Sequence, residues 1–198
     1  MYLIPTISYC ECMMYILTPY DDYLFTCTYF NVSQRFLVVC PSSLVLNWAK
    51  EFDKWLGKAS QPKRVVVQGG GEEGLREIKS FCSIKPSQVL IISYDLFRRH
   101  SKLFAKTKNV GLLVVDEGHR LKSTQGSQTL TALESLPCDA RLCITATPIQ
   151  NILSDFYTIA NFVCPGLFGD LATFRKGTFG APYLLHREFC VLYVLTDT

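Results

Sequence analysis

The sequence has no cysteines paired at a spacing typical of metal or redox sites. None of its nine cysteines forms a C-x-x-C motif, and only Cys10 and Cys12 lie close together. The others are scattered, several of them in apolar stretches such as FLVVC and ARLCIT. This distribution argues against a zinc site or a disulfide framework, and it predicts buried free thiols in a reducing compartment.

Positive charge is missing from the start of the chain. No Lys or Arg occurs between Met1 and Asp21, and Pro5, Glu11 and Pro19 interrupt the apolar residues there. A signal peptide has a basic start and a membrane span needs about 20 apolar residues in a row, so neither is predicted. We expect a soluble intracellular protein without a membrane partner. The net charge of +3 does not by itself indicate nucleic acid.

From Arg35 onward, short apolar runs alternate with helical patterns. With 198 residues, 48% of them hydrophobic, the chain can form one domain around a substantial core. Five runs are nearly all apolar, and they read RFLVVC, KRVVVQ, QVLIISY, VGLLVV and ARLCIT. Such strands, each followed by a helix, predict an α/β fold with a parallel sheet covered on both faces. Helix N-caps are expected at Ser42 or Ser43, Asp95 and Thr147, and helix ends at Gly57 and Pro165-Gly166.

The stretch GGGEEG, from Gly69 to Gly74, is one candidate binding site. It fits G-x-G-x-x-G after a predicted strand, and Asp95 ends the next strand. In a dinucleotide-binding fold these residues would hold the pyrophosphate and ribose of a nicotinamide cofactor. Glu72 and Glu73, however, lie where the start of a helix should attract phosphate. The pattern therefore favours an exposed loop and leaves an NAD(P)-dependent oxidoreductase as a weaker alternative.

The stretch LLVVDEGHRLK, from Leu112 to Lys122, is a second candidate. A strand that ends in two carboxylates, Asp116 and Glu117, can aim one at Mg²⁺ and the other at a water molecule. Hydrolysis of a nucleoside triphosphate requires this pair of interactions. The same residues also fit a helix start, with Asp116 as the cap and Glu117 favoured by the helix dipole. Taken alone, this stretch leaves both interpretations open.

Four stretches in a fixed order resemble a known family. They read VVCPSSLVLNWAKEFDKWLG, IISYDLFRR, VVDEGHRLK and ITATPIQN. This succession resembles the ATP-binding lobe of the Swi/Snf family, DNA translocases of helicase superfamily two. PGLFGDLATFRK and the DEGH tetrad resemble in particular the Rad fifty-four and Rad fifty-four B branch of recombination-repair translocases. The resemblance implies a RecA-like three-layer sandwich with a mainly parallel sheet at 35–176, incomplete on its N-terminal side. Residues 1–34 form a non-family segment and 177–198 a divergent tail without a clear partner.

The resemblance also implies ATP and Mg²⁺ as cofactors. Asp116 would hold the magnesium ion through water, Glu117 would orient or activate the attacking water, and His119 would link the nucleotide to ITATPIQN. Residues that would couple hydrolysis to DNA movement are Thr145, Ala146, Thr147, Gln150 and Asn151. The stretch from Thr147 to Gln150 also fits a capping box with proline at the first helical position, which explains three of these residues without any function.

Double-stranded DNA is the partner that the resemblance implies, with a RecA-type recombinase as a further partner and the nucleus as the location. The residues that would contact DNA are Pro41, Ser42, Ser43, Ser93, Tyr94, Arg98 and Arg99. The last two begin a basic cluster that continues with His100, Lys102, Lys106 and Lys108. A solvated helix face would look similar, and Ser43 equally fits a cap on an amphipathic helix. The buried face of that helix is predicted to include Val45, Trp48, Phe52 and Trp55.

One motif needed for hydrolysis does not occur in the 198 residues. The sequence contains no G-x-x-x-x-G-K-[ST], the lysine loop that wraps nucleotide phosphates. In the family this loop precedes the VVCPSS strand, and a second lobe follows well after PGLFGDLATFRK. We therefore expect a partial lobe that by itself neither hydrolyses ATP at a useful rate nor translocates. The alternative is a DNA- or protein-binding module without nucleotide chemistry.

Overall fold

The structure is a computed structural model of the chain. It describes residues 35–56, 63–83, 88–107, 110–122, 124–145, 153–166, 168–176 and 190–194. The predictions for residues 1–34, Gly57, Lys108, Ala146, Thr147, Gln150 and Asn151 lie outside these ranges.

A parallel sheet forms the centre of the described fold. Its strands are β1 (Arg35–Cys40), β2 (Lys63–Val66), β3 (Gln88–Ser93), β4 (Val110–Asp116), β5 (Cys138–Thr145) and β6 (Cys190–Val194). They lie in the order β2-β3-β1-β4-β5-β6, and each neighbouring pair is parallel. The five predicted strands are confirmed. The sixth was not predicted, because the sequence indicates no partner for the tail, yet β6 pairs with β5 from Arg141 to Thr145.

Helices cover both faces of this sheet. They are α1 (Val45–Leu56), α2 (Glu72–Cys82), α3 (Tyr94–Arg99), α4 (Ser101–Phe104), α5 (Thr124–Glu134), α6 (Leu153–Val163) and α7 (Leu171–Arg175). Successive side chains of a strand point to opposite faces. Leu37 and Val39 of β1 accordingly belong to a different apolar cluster from Phe36 and Val38, which lie with Trp48. The result is a three-layer α/β sandwich. None of the described helices is long and apolar enough to span a membrane.

The amphipathic helix α1 follows β1 directly and packs as its pattern predicts. Val45, Trp48 and Phe52 are buried, with exposed fractions of 3%, 5% and 5%. Their spacing puts them on one face of the helix, and they contact the sheet face that carries Val38 and Cys40. The Trp55 side chain lies outside the described part of the chain.

Two of the predicted N-caps are wrong. The turn after β1 is a 3-10 turn, Ser42–Leu44, capped by Pro41 without a side-chain hydrogen bond. Ser42 and Ser43 both lie inside this turn, because the helical backbone begins directly after Pro41. At α3 the cap is Ser93, whose hydroxyl accepts a hydrogen bond from the Leu96 N–H at 3.4 Å. Asp95 lies in the first turn of that helix, where a carboxylate suits the helix dipole.

The predicted end of α6 at Pro165-Gly166 is confirmed. The helix stops at Val163, and Gly166 has a φ of +76°, in the left-handed region that glycine adopts readily. The Gly166 N–H donates a hydrogen bond to Asn161 Oδ1 at 3.0 Å. The chain therefore turns sharply away from α6 at this glycine.

Arg35 is a buried cation that links β1 to α2. Its side chain is 2% exposed, donates hydrogen bonds to the carbonyls of Phe81 and Ser83, and lies over the Phe81 ring. Burial lowers the pKa of the Arg35 guanidinium below its usual value. These contacts place the positive charge beside the last carbonyls of α2, where the helix dipole is negative.

Arg35→Ala should lower the free energy of unfolding by about 2 kcal/mol, because it removes the donor to the buried Phe81 carbonyl and to the partly buried Ser83 carbonyl. Urea denaturation monitored by tryptophan fluorescence measures this loss. Lys63→Ala is the matched control, since Lys63 opens β2 as Arg35 opens β1 but is exposed. We expect the control to change stability by no more than about 0.5 kcal/mol. Equal losses in the two variants would contradict the role of Arg35.

Candidate active site

Strand β4 places the acidic pair at the carboxyl edge of the sheet. It lies between β1 and β5 and carries an apolar run up to Asp116, its last residue. Asp116 is paired with Ile144 of β5 and is fully buried. Binding sites of open parallel sheets lie at this edge. The structure therefore has the first acid where the sequence predicted it, at the end of a central strand.

Three hydrogen bonds surround Asp116. The Trp48 indole N–H donates to Asp116 Oδ2 at 2.8 Å, and the Glu117 N–H donates to Oδ1 at 2.8 Å. The Tyr94 hydroxyl donates to the backbone carbonyl of Asp116. Burial raises the pKa of Asp116 to about 6, against the lowering effect of the Trp48 hydrogen bond. The carboxyl is therefore mostly ionised at neutral pH and takes up a proton near pH 6.

Glu117 turns the chain out of the sheet. Its φ is +55°, which is uncommon for a residue with a side chain. A non-glycine residue in this region costs on the order of 1–3 kcal/mol and often lies at a functional site. The Glu117 carbonyl accepts a hydrogen bond from the Arg120 N–H at 3.0 Å, which closes the turn. Its side chain is 22% exposed, whereas Asp116 is fully buried, so the two acids have different surroundings.

His119 connects this turn to the end of β5. Its Nδ1 lies 3.2 Å from Glu117 Oε2 and 3.3 Å from Thr145 Oγ1. Thr145 is 1% exposed and ends β5. The structure thus brings together three predicted site residues, Glu117, His119 and Thr145. Their catalytic and coupling roles stay predictions.

Gly118 has no room for a side chain. A Cβ atom added at this position would lie 2.1 Å from Cys143 Sγ. Cys143 is fully buried in β5, two residues before Thr145. The thiol therefore occupies the space beneath the DEGH turn, and a glycine is needed there for packing and not for its backbone freedom.

The predicted DNA contacts differ in exposure. Ser42 and Ser43 are exposed and Pro41 is buried. Ser93 and Tyr94 are each only 7% exposed, and both already take part in hydrogen bonds inside the protein. Their role in DNA contact stays a prediction, but the side chains of the turn after β1 are the more accessible.

The basic cluster continues from α3. Arg99 is exposed, and Arg98 forms an ion pair with Asp95 at 3.1 Å. Lys102 and Lys106 are exposed and His100 is partly exposed. Exposed cations close in sequence suit contact with a phosphate backbone.

The glycine-rich stretch lies apart from the acidic pair, after the edge strand β2. Gly69 to Gly71 form an exposed loop, and Glu72 and Glu73 are exposed in the first turn of α2. A pyrophosphate at this helix start would lie next to both carboxylates. Asp95, the candidate ribose ligand, is paired with Arg98. The geometry favours the loop interpretation over a nicotinamide site.

The donor set suits a hydrated Mg²⁺ ion bound to a nucleotide. Magnesium usually keeps several waters and takes one or two carboxylates together with phosphate oxygens. Asp116 supplies an ionised carboxylate, but it is enclosed, so contact through water fits better than direct coordination. Within the described ranges, no group of three or more His, Cys, Asp or Glu side chains could hold a metal ion.

Comparison with known sequences decides the family. The profile of the SNF2-related domain matches residues 4–191, a range that extends beyond 35–176 at both ends. The chain belongs to the SNF2-related domain family. Among SNF2 relatives, it is 41% identical over 160 residues to the DNA repair and recombination protein RAD54-like of Mus musculus. It is 43% identical over 164 residues to the DNA repair and recombination protein RAD54 of Saccharomyces cerevisiae.

The matches cover most of this chain but only part of each relative. They include 78% and 77% of this chain, and 21% and 18% of the mouse and yeast proteins. The chain thus spans about a fifth of these SNF2 relatives.

Solved SNF2-family structures share the fold. The Sulfolobus solfataricus SWI2/SNF2 ATPase core in complex with double-stranded DNA aligns with a TM-score of 0.52 and 24% identity. The alignment covers 72% of this chain and 28% of that one. The core domain solved without a named partner aligns with the same TM-score and 22% identity. The predicted RecA-like α/β fold is confirmed.

Proposed function

We propose that this SNF2-family chain is part of the ATP-binding lobe of a double-stranded-DNA translocase. The translocase would act in homologous recombination and DNA repair or in chromatin remodelling. The observation that carries the proposal is His119 Nδ1, within reach of both Glu117 and Thr145 at the ends of neighbouring strands. This contact joins the acidic pair to the segment that would move with DNA. The names of the relatives support the recombination and repair part.

Asp116 and Glu117 divide the chemistry in this proposal. A bound Mg²⁺ ion would neutralise charge on the nucleotide phosphates. Asp116 would hold a water of that ion, with its carboxylate fixed by the Trp48 and Glu117 N–H groups. Glu117, which is partly exposed, would accept a hydrogen bond from the attacking water and so align it. His119 would hold the Glu117 carboxylate in position.

Thr145 would couple nucleotide binding and hydrolysis to the movement of DNA. It accepts or donates a hydrogen bond at the His119 ring and is followed by the ITATPIQN segment. Ala146, Thr147, Gln150 and Asn151 would continue this coupling path. A RecA-type recombinase as partner and the nucleus as location follow from the same branch of the family.

The DNA surface in this proposal consists of the turn Pro41 to Ser43, the start of α3 at Ser93 and Tyr94, and Arg98 and Arg99. The exposed hydroxyls of Ser42 and Ser43 can donate to phosphate oxygens, and the exposed Arg99 can neutralise them. These contacts read the backbone and not the base sequence. We therefore expect binding without strong sequence preference.

The purified chain should bind duplex DNA with an affinity that falls steeply with salt, as phosphate neutralisation requires. Replacing Arg98 and Arg99 together with Ala should weaken binding about tenfold at low salt. Fluorescence anisotropy of a labelled duplex measures both effects. Arg175→Ala is the control, because Arg175 is an exposed cation on α7. An equal loss in the control variant would argue against a DNA surface on α3.

The same chain should show no DNA-stimulated ATP turnover, since it has no lysine loop. A second candidate function is a module that binds DNA without nucleotide chemistry. Titration of the chain with ATP·Mg²⁺ and with DNA separates the two. DNA-stimulated turnover that Glu117→Gln abolishes would contradict the expected inactivity, whereas DNA affinity without nucleotide affinity would favour the second candidate.

A further inference from the structure

Two hydrogen bonds connect the proposed DNA-facing turns to Asp116. Trp48 lies in α1, which continues directly from the turn Ser42–Leu44, and its indole N–H donates to Asp116 Oδ2. Tyr94 follows Ser93 and donates its hydroxyl hydrogen to the Asp116 carbonyl. Each turn after a strand therefore has its own direct contact with the same buried acid.

The sheet explains why these contacts converge. Strand β1 lies between β3 and β4, with Cys40 beside Ser93 and Val39 beside Val115. The three strands end at one edge, so Pro41, Tyr94 and Asp116 leave the sheet side by side. No flexible linker separates the turn Ser42–Leu44 from Trp48, because α1 begins at Val45. Movement of this turn must displace either Trp48 or the packing of α1.

The Tyr94 contact extends beyond Asp116. The Arg120 guanidinium lies over the Tyr94 ring, 5.5 Å from its centroid, and the Arg120 N–H donates to the Glu117 carbonyl. Tyr94 thus touches the DEGH turn from both sides. A displacement of Tyr94 at the start of α3 would therefore affect both Asp116 and Arg120, the residue that closes the turn at Glu117.

We propose that Trp48 and Tyr94 are positioning residues that transmit duplex-DNA contact at the ends of β1 and β3 to Asp116. The inference rests on the proposed DNA surface. It adds that duplex-DNA binding and the position of Asp116 are thermodynamically linked, through one hydrogen bond from each turn. Linkage is reciprocal, so a change at buried Asp116 must alter DNA affinity although Asp116 cannot touch DNA.

A double-mutant cycle tests this linkage on the 198-residue chain. The dissociation constant for a duplex of about 20 base pairs is measured for the parent, Asp116→Asn, Trp48→Phe and the double variant. Asp116→Asn should weaken DNA binding about fivefold in the parent, and by less than about 1.5-fold once Trp48→Phe has removed the indole donor. A parallel cycle with Tyr94→Phe tests whether the Tyr94 hydrogen bond to the Asp116 backbone carbonyl, which Asp116→Asn retains, contributes to the linkage. Tyr94→Phe removes one oxygen atom, so it carries the test if Trp48→Phe does not fold.

Two comparisons separate the linkage from simpler effects. Loss of a negative charge by itself changes DNA affinity equally in every background, and Asp139→Asn, an exposed site at the opposite end of β5, measures this term. A purely structural role of Trp48 lowers stability but leaves the two substitutions additive in DNA affinity. Non-additivity in both cycles supports the inference. Because Asp116→Asn keeps the carbonyl that Tyr94 contacts, non-additivity in the Tyr94 cycle shows that this bond acts by fixing the position of Asp116. Additivity there restricts the role to Trp48, and additivity in the Trp48 cycle overturns the role of Trp48.

Failure of the inference is distinguishable from failure of the proposed function. If the parent binds DNA and both cycles are additive, the linkage is wrong and the DNA surface stands. If the parent chain does not bind duplex DNA at any salt concentration, the DNA surface is wrong and the inference is overturned with it.

Discussion

Between about pH 4 and pH 7.5, the titration of Asp116 should lower the free energy of unfolding of the parent chain by about 3 kcal/mol, and Asp116→Asn should abolish this contribution. Burial is the main reason that the pKa of Asp116 rises from 3.8 to about 6. Between these values the folded chain holds a proton that the unfolded chain has released, so protonation favours the folded state. This contribution is complete below about pH 3.8 and is lost as the pH rises through about 6. A difference of about two pKa units corresponds to about 3 kcal/mol.

Urea denaturation of both chains across this pH range, at constant ionic strength, measures the effect. The difference in unfolding free energy between the variant and the parent is the informative quantity, because other carboxyl groups contribute equally to both. Asp139→Asn serves as the control, since Asp139 is an exposed aspartate near the opposite end of β5. Parallel profiles for the parent and Asp116→Asn would show that Asp116 titrates normally in the folded chain.

Such a cost at Asp116 fits a residue retained for chemistry. An ionised carboxylate without a cation beside it is unfavourable in a core, and among the described residues two N–H donors offset the burial of Asp116. A nearby Mg²⁺ ion would favour the ionised form and reverse the penalty. Burial of an ionised Asp116 therefore lowers the stability of the ligand-free chain, whereas the same ionised carboxylate is the form that would interact with a metal ion.

Most of the sheet and the location of the acidic pair could be predicted from the sequence. Strands β1 and β4 are nearly continuous apolar runs because both of their faces are covered, and such runs are recognisable without any partner. Asp116 and Glu117 stand where the apolar run of β4 ends. The link between His119 and Thr145 came from the family resemblance, since 26 positions separate the two residues.

Long-range polar contacts could not be read from local spacing. The helical pattern predicts Trp48 in the core, which is confirmed, but its indole N–H also donates to Asp116, 68 positions away. A tryptophan on the apolar face of a helix gives no local signal of such a bond. The cap at Pro41 precedes both predicted positions, because the preference of serine for N-caps does not exclude a turn that already begins at Ser42.

Gly118→Ala should destabilise the chain by about 3 kcal/mol, because the new methyl group meets Cys143 Sγ in a packed core. The expected contact of 2.1 Å is far below the sum of van der Waals radii. The thiol would have to rotate, but Cys143 is fully buried and its rotated sulfur would meet other core atoms. The φ of Gly118 is not in the left-handed region, so steric overlap and not backbone strain carries the loss.

Cys143→Ala supplies the matching variant for this steric argument. By itself it should cost about 1 kcal/mol, through the small cavity that the sulfur leaves. Combined with Gly118→Ala it should restore much of the lost stability, because the added methyl group enters the vacated space. The double variant should be more stable than Gly118→Ala alone by at least about 1 kcal/mol in urea denaturation. Additive losses would mean that Gly118 is required for another reason than the thiol beneath it. Restored stability would show that close packing of Gly118 on Cys143 fixes the DEGH turn against β5, two residues from Thr145.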